Sequence, residues 1–241
     1  MLYETKGIFL HSIKYSETSM IIKVYTESFG IKSYLLKGAY RKKSAIKANI
    51  FNPLCNLNII GYTNKNSQLN FVKEISVSNL LVKSYGNIYK SSILLFLNEM
   101  LYNCLKEGEI NKDLYEYILD SLFKLEEKED EYFNFHLAFL VNLTMFLGIQ
   151  PQNNYSEHYR FFNFQEGVFE NMQKPGQTES NQKINKLFSL LLDINYENLD
   201  VFRINSSERR ELLNFVIEYY KRHISGFKDV KSHKILETIL S

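Results

Sequence analysis

Cysteine is scarce in this 241-residue sequence, in which Cys55 and Cys104 are the only two. Two cysteines do not make a disulfide framework, so we expect a reduced, cytoplasmic protein. The opening residues, MLYETKGIFLHSIKYSE, are charged early and contain no long apolar run, which predicts no secretion signal. The most apolar segment, Phe133–Ile149, is short for a membrane span and includes Asn134 and His136. It therefore favours a buried core helix, and we expect no membrane partner.

The motifs of common enzymes are also missing. No group of glycines matches GxGxxG or GxxxxGK[ST], so neither common nucleotide cradle is present, and there is no HExxH or GxSxG motif. Zinc needs clustered thiolates or imidazoles, whereas the two cysteines are isolated and the five histidines are scattered. His158 has no sequence neighbour that would complete a metal site. The sequence predicts no enzyme, no cofactor and no bound metal.

Acidic residues are absent from Ser28 to Lys73, a stretch of 46 residues that contains eight lysines or arginines. Its densest part is KGAYRKKSAIK, Lys37–Lys47, with five cations in eleven residues. Residues 1–80 carry eleven basic and four acidic residues, net +7, whereas residues 81–241 carry 18 and 23, net −5. This asymmetry predicts a basic module that meets an anion, although a charge run alone also fits a solvated loop.

Five short segments before residue 78 are rich in β-branched and aromatic residues, and turn residues such as ESFG and TNKNS separate them. About 75 residues with five strands and no helical period predict a small closed barrel of the oligonucleotide/oligosaccharide-binding (OB) type. The fold class is therefore α+β, with a five-stranded OB barrel over residues 1–78, and the basic stretch connects its third and fourth strands. The predicted strands are Gly7–Tyr15, Ser19–Thr26, Ile31–Lys37, Pro53–Tyr62 and Gln68–Val77.

After residue 78 the hydrophobic period becomes that of helices, which predicts an all-α domain over residues 79–241. The first helix is expected to break near Gly86. Residues 152–181 are polar and form a small insertion, with a strand-like hairpin at Arg160–Glu170. The acidic run Glu126–Glu131 is interpreted as a solvated loop between helices.

A later helix, within SERRELLNFVIEYYKRHI, has a recognisable start. Ser206 or Ser207 is the predicted N-cap, and Glu208 falls in the first turn, where a negative charge is favourable.

Aromatic residues are interleaved with the cations of the barrel: Tyr15, Tyr34, Tyr40, Phe51 and Tyr62. Cations that pair with phosphates beside rings that stack on bases are what single-stranded nucleic acid requires of a protein. We therefore expect a DNA-binding site at Lys37, Tyr40, Arg41, Lys42, Lys43 and Lys47.

Two alternatives to DNA binding stay open. One is a protein-interaction adaptor whose barrel binds an acidic peptide, and salt-dependent binding to a bare oligonucleotide would distinguish it. The other is a small-molecule enzyme built on the helical part, which would need a deep pocket with perturbed carboxylates.

The stretch GIFLHSIKYSETSMIIKVYTESFGIKSYLLKGAYRKKS resembles the N-terminal signature of the RecO family of bacterial DNA repair and recombination mediators. The shared elements are the opening Gly-Ile-x-Leu, the Tyr-x-Glu of YSETS, a Thr-x-x-x-Gly before the third strand and the KGAYRKKS turn. The likeness covers residues 1–75 well. Farther on, FLGIQP (Phe146–Pro151) matches a Leu-Gly-x-x-Pro element of that family.

The resemblance implies an OB barrel followed by a helical domain, acting in the cytoplasm at the nucleoid. It also implies binding of single- and double-stranded DNA, annealing of complementary strands, contact with the acidic tail of single-strand-binding protein, and work with RecR to load RecA. Many members of the family carry a four-cysteine zinc site after the Leu-Gly-x-x-Pro element. The corresponding stretch here, NNYSEHYRFFNFQEGVFEN, contains no cysteine, so we expect the metal to be lost.

An acidic tail would need a local cationic site on the net-acidic helical part. Arg203, Arg209 and Arg210 lie near a predicted helix N-terminus, where backbone donors favour an anion, and arginine can pair a carboxylate bidentately. The competing interpretation is that these arginines pair with Glu208 and Glu211 of their own helix.

Overall fold

The computed structural model describes residues 2–41, 48–62, 69–78, 80–172 and 182–240. Five strands close into a barrel in the order β1-β2-β3-β5-β4, with every pair antiparallel except the parallel pair β3–β5. This confirms the predicted five-stranded OB barrel. The strands are β1 (Leu2–Lys14), β2 (Met20–Thr26), β3 (Gly30–Leu36), β4 (Asn56–Tyr62) and β5 (Leu69–Val77).

Strand β1 is longer than predicted, because it begins at Leu2 rather than Gly7. Its first half pairs with β4 and its second half with β2, so a single strand contributes to both sides of the barrel closure. Gly7 lies where the two pairings overlap, and a Cβ there would clash with the side chain of Val24. The glycine therefore lets β1 cross the barrel closely.

The barrel interior is filled by residues that alternate along each strand, as the two-residue period of a pleated strand requires. Tyr34 lies inside and accepts a hydrogen bond from the Tyr3 hydroxyl at 3.2 Å. Cys55 is also buried in this core, and burial raises the pKa of its thiol to about 12. Other members of the core are Phe9, Met20, Ile22, Val24, Leu36, Ala39, Leu57 and Ile59.

The Thr-x-x-x-Gly element forms the turn between β2 and β3. The Thr26 hydroxyl donates to the carbonyl oxygen of Gly30 at 2.7 Å and accepts from the amide of Phe29 at 3.1 Å. Gly30 has a φ of +61°, and a Cβ there would collide with the carbonyl oxygen of Glu109. Only glycine meets both conditions without strain.

The rest of the chain is helical apart from one short hairpin, as predicted. The helices are α1 (Val82–Gly86), α2 (Ile88–Cys104), α3 (Lys112–Glu127), α4 (Phe135–Phe146), α5 (Gln182–Leu192), α6 (Ser206–His223) and α7 (Ser232–Ile239). The hairpin consists of β6 (Phe161–Asn163) and β7 (Val168–Glu170). The break near Gly86 separates α1 from α2 and confirms that prediction.

Helix α4 is buried on nearly every side, which confirms the core helix expected in Phe133–Ile149. Among the described helices, none combines the length and the apolar character needed to cross a membrane.

The chain divides into two compact units. The first contains Met1–Asn87 with Leu94–Glu126, and the second contains Ile88–Ile93 with Glu127–Ser241. The first unit thus includes α3 as well as the barrel. Asn98 of α2 shows why, because its side chain donates to the carbonyl oxygen of Leu10 at 2.7 Å and accepts from the amide of Leu54 at 3.3 Å.

The acidic run Glu126–Glu131 is not entirely a solvated loop, as predicted, because α3 continues through its first two residues and Glu126 is only 7% exposed. The Glu126 carboxylate accepts hydrogen bonds from the amides of Lys83 and Ser84, both at 2.8 Å, and from the Ser84 hydroxyl at 2.6 Å. It thereby caps the N-terminus of α1 from a distant part of the sequence.

The predicted N-cap of α6 was one residue or more too late. Asn205, not Ser206 or Ser207, is the N-cap, and its side chain accepts from the amide of Glu208 at 2.9 Å. The Glu208 carboxylate in turn accepts from the amide of Asn205 at 2.9 Å. This reciprocal capping box selects asparagine over the two serines that follow it.

Candidate nucleic-acid interface

The chain turns sharply after β3 and presents its cations outward. Gly38 has a φ of +76°, and its carbonyl oxygen accepts from the amide of Arg41 at 2.9 Å. Ala39 points into the barrel core and is only 4% exposed, which fixes the turn to the barrel. Lys37, Tyr40 and Arg41 are left exposed around this anchor. We call these three residues the basic turn.

The basic turn is held against the hairpin that joins β1 to β2. The amide of Tyr40 donates to the carbonyl oxygen of Thr18 at 3.2 Å, and the amide of Tyr15 donates to that of Ser19 at 2.9 Å. Both tyrosine side chains remain exposed beside each other's backbone. Lys42, Lys43 and Lys47, which were predicted to belong to the same site, lie outside the described residues.

The structure sorts the five aromatic residues that sequence reasoning grouped together. Tyr34 is buried in the barrel, and Phe51 is half-buried and stacks on Phe9 with 5.4 Å between ring centroids. The other three rings, those of Tyr15, Tyr40 and Tyr62, are exposed. Only these three are accessible to a ligand.

Phe71 on β5 is an exposed ring that sequence reasoning missed. The Nζ atom of Lys37 lies 5.2 Å from the centroid of this ring, within the range of a cation–π interaction. Phe71 pairs with Tyr62 of β4 and with Leu35 of β3. The alternation along β5, with Val72 turned toward the core, is the sequence signal that could have found it.

Charges near the basic turn are mostly positive but not entirely so. Glu17 is exposed on the β1–β2 hairpin, so a phosphate chain would avoid that corner. Lys23, although on the barrel, forms an ion pair with Glu107 at 2.8 Å and is less available to a ligand. Lys37 and Arg41 are therefore the best-placed phosphate partners among the described residues.

The three arginines of the helical part occupy different environments. Arg209 donates from Nε to the side-chain oxygen of Asn134 at 2.8 Å and from Nη1 to the carbonyl oxygen of Leu240 at 3.0 Å. Both acceptors are uncharged, so the guanidinium charge is not neutralised by them, and partial burial lowers its pKa. The Nε atom of Arg210 lies 3.8 Å from a carboxylate oxygen of Glu237.

Arg203 and Arg209 line one cleft of about 170 Å³. Its other lining residues are mainly apolar, with two acids at the edge: Phe133, Asn134, Leu199, Phe202, Ile204, Glu131 and Asp200. Arg210 instead lines a much smaller cavity of about 10 Å³ beside His136. Glu208, which was an alternative partner for the arginines, forms an ion pair with Lys183 at 2.7 Å.

The hairpin β6–β7 follows Pro151, where the family that the sequence resembles often has zinc. Within the described ranges, no group of three or more histidine, cysteine, aspartate or glutamate side chains is placed to hold a metal ion. His158 is exposed on the loop before β6. The residues present do not fit a zinc site, and the loss of the metal stays our prediction.

Phenylalanine occupies the interior of this region instead. Phe162 is 1% exposed, and its ring centroid lies 4.8–5.7 Å from five other ring centroids. We call these six residues the aromatic cluster: Phe162, Phe164, Phe169, Phe188, Phe215 and Tyr219.

Comparison with known proteins agrees with this architecture along the chain. The family model described as recombination protein O N terminal matches residues 1–81, and the one described as recombination protein O C terminal matches residues 85–233. The DNA repair protein RecO of Azobacteroides pseudotrichonymphae is 35% identical over 239 residues, which cover 99% of each chain. Those of Christiangramia forsetii and Flavobacterium psychrophilum are 32% and 33% identical, over 99% and 100% of each chain. With a barrel and a helical part that each match in order and over nearly their full length, this chain belongs to the recombination protein O family.

Proposed function

We propose that this protein is a DNA-binding recombination mediator in DNA repair that acts without covalent chemistry. The observation that carries the proposal is the basic turn, with Lys37, Tyr40 and Arg41 exposed on an OB barrel inside an acid-free stretch of sequence. Relatives of the same length are named DNA repair proteins, which supports the same role.

The proposed mechanism depends on charge neutralisation. Cations that pair with phosphates release condensed counterions, which drives binding to both single- and double-stranded DNA. Two complementary strands held on one basic surface repel each other less and meet at a higher local concentration, so annealing becomes faster. Stacking on exposed rings such as Tyr40 adds affinity for unpaired bases.

Replacing Arg41, Lys42 and Lys43 together by Ala is expected to weaken DNA binding and to flatten its salt dependence. Each lost phosphate contact on a single strand lowers the log–log slope by about 0.7, so the triple variant should lose about 2. The measurement is a titration of a labelled oligonucleotide at several salt concentrations.

The matched control removes three cations that face carboxylates elsewhere, so the net charge changes equally. It should leave the slope nearly unchanged, and it combines alanine at Lys124, Lys221 and Arg222. An unchanged slope in the basic-turn variant would mean that these cations are only solvated. A wild-type protein with no salt-dependent affinity for a bare oligonucleotide would instead favour the adaptor whose barrel binds an acidic peptide.

We also propose that the helical part receives the acidic tail of single-strand-binding protein, and that the protein works with RecR to load RecA at the nucleoid. The cleft between Arg203 and Arg209 supports the first part, because it combines apolar walls with a guanidinium whose acceptors are uncharged. An acidic peptide that ends in an apolar residue matches that combination.

Arg203→Ala combined with Arg210→Ala is expected to weaken binding of such a peptide by about tenfold or more, since charge-assisted hydrogen bonds are lost. Both side chains are exposed, and Arg209 is left in place because it also connects Asn134 to Leu240. Calorimetry with an acidic-tail peptide gives the affinity. Arg222→Ala, on the same helix but paired with Glu218, is the control. Equal affinities in all three proteins would mean that the peptide binds elsewhere or not at all.

A further inference from the structure

An apolar row crosses the outer face of the barrel where β1, β4 and β5 meet. Leu2 pairs with Tyr62, and Tyr62 pairs with Phe71, so the three side chains point to the same face of the sheet. Their neighbours Tyr3 and Val72 pack against the barrel core, which places the row on the outside. The exposed fractions are 49% for Leu2, 44% for Tyr62 and 37% for Phe71.

This row is continuous with the basic turn. Lys37, the first residue of the turn, extends its ammonium group over the Phe71 ring at 5.2 Å from the centroid. Adjacent strands are about 4.8 Å apart, so the rings of Tyr62 and Phe71 lie side by side. Two exposed aromatic faces and a cation therefore form one surface.

We propose that Tyr62 and Phe71, with Lys37 at their edge, are a stacking platform for unpaired bases of single-stranded nucleic acid. The proposal rests on the DNA-binding function proposed above and adds a preference for one form of the ligand. A single strand exposes the faces of its bases, which can stack on aromatic rings whatever the sequence, whereas a duplex hides them. Both forms can use the basic turn, but only the single strand gains from the rings.

The charges around the platform indicate how the strand would run. Glu4 and Glu74 both pair with Ile60, so they lie on the same outer face, two residues along the strands from the platform. Carboxylates repel phosphates, which makes this side unfavourable for the nucleic-acid backbone. On the opposite side Lys37 offers a phosphate partner without a nearby acid in the sequence. The strand would therefore leave the platform toward the basic turn.

The test compares the affinity of the full chain for an oligo(dT) strand of about 15 nucleotides, the upper range for one OB fold, with its affinity for a duplex of equal length. Phe71→Leu and Tyr62→Leu remove the flat face but keep an apolar side chain. Each is expected to weaken binding to oligo(dT) by about fivefold or more, in line with the loss of one base stack. Affinity for the duplex and the salt slope should stay the same, because no charge is removed.

Three further proteins make the result decisive. Phe71→Trp keeps a stacking face and should retain the affinity for oligo(dT), which separates stacking from a general disturbance of β5. Phe123→Leu changes an exposed ring on α3 and should have no effect. Equal losses on the duplex and on oligo(dT), or no loss on oligo(dT) in a wild-type protein that binds it, would overturn the platform and leave DNA binding in place. A wild-type protein that binds neither ligand would overturn both proposals.

Discussion

Phe162→Ala is expected to lower the free energy of unfolding by about 3–5 kcal/mol, the usual effect of truncating a fully buried phenylalanine. Phe162 is at the centre of the aromatic cluster, with five ring centroids within 5.7 Å. Removing its ring leaves a cavity whose walls come from the hairpin, α5 and α6, so the surrounding structure cannot easily close it. For a chain of this size, a fall in Tm of about 10 °C should result.

Phe123→Ala is the matched control, since the same atoms are removed from a ring that is 50% exposed. Its effect should be about 0.5 kcal/mol or less. A metal chelator should leave the Tm of the wild-type protein unchanged, because the aromatic cluster rather than a zinc ion connects the hairpin to the helices. A stoichiometric zinc, together with a Tm that falls on chelation, would contradict this account of the insertion.

The hairpin illustrates what the sequence could and could not predict. The spacing of RFFNFQEGVFE indicated two short strands, and the absence of cysteine indicated a region without zinc. It did not indicate that Phe162 would contact Phe188 and Phe215, because those contacts join residues far apart in the chain. Local patterns report strands and turns, whereas the partners of a buried ring are set by tertiary packing.

The barrel shows the same division. Alternating apolar residues and turn signals were enough to predict five strands and their closure. The start of β1 was missed because LYETK carries two charges, yet Glu4 and Lys6 lie on the exposed face of a strand whose other face is buried. The candidate site was predicted at the correct turn, while the distinction between buried Tyr34 and exposed Tyr62 required the strand register.

Buried charge was the feature that composition hid most completely. Six charged residues in a row, EEKEDE, indicated solvation, but a helix can turn one of them inward. Glu126 and Glu127 are adjacent in sequence, and only the first is buried. The difference follows from the helical period, which places Glu126 on the same side of α3 as Leu122 and Leu125.

Glu126→Ala is expected to destabilise the protein by about 3–5 kcal/mol, because it leaves buried donors of α1 without their charged acceptor. The carboxylate accepts from two backbone amides and one hydroxyl at 2.6–2.8 Å, and Ser84 is completely buried. Each hydrogen bond to a charged group contributes about 1.5–3 kcal/mol, and the three share one acceptor group, so their effects do not simply add.

A series of variants separates this cap from general effects of the substitution. Ser84→Ala removes only the hydroxyl bond and should lower the unfolding free energy by about 1–3 kcal/mol, whereas Glu126→Gln keeps one acceptor oxygen and should fall between Ser84→Ala and Glu126→Ala. Glu127→Ala changes the exposed neighbour and should have an effect of about 0.5 kcal/mol or less. Thermal and denaturant unfolding followed by circular dichroism would rank the four proteins. If Glu126→Ala were no more destabilising than Glu127→Ala, the carboxylate would not be what stabilises the start of α1, and the helical connection after β5 would have to be stabilised by apolar packing alone.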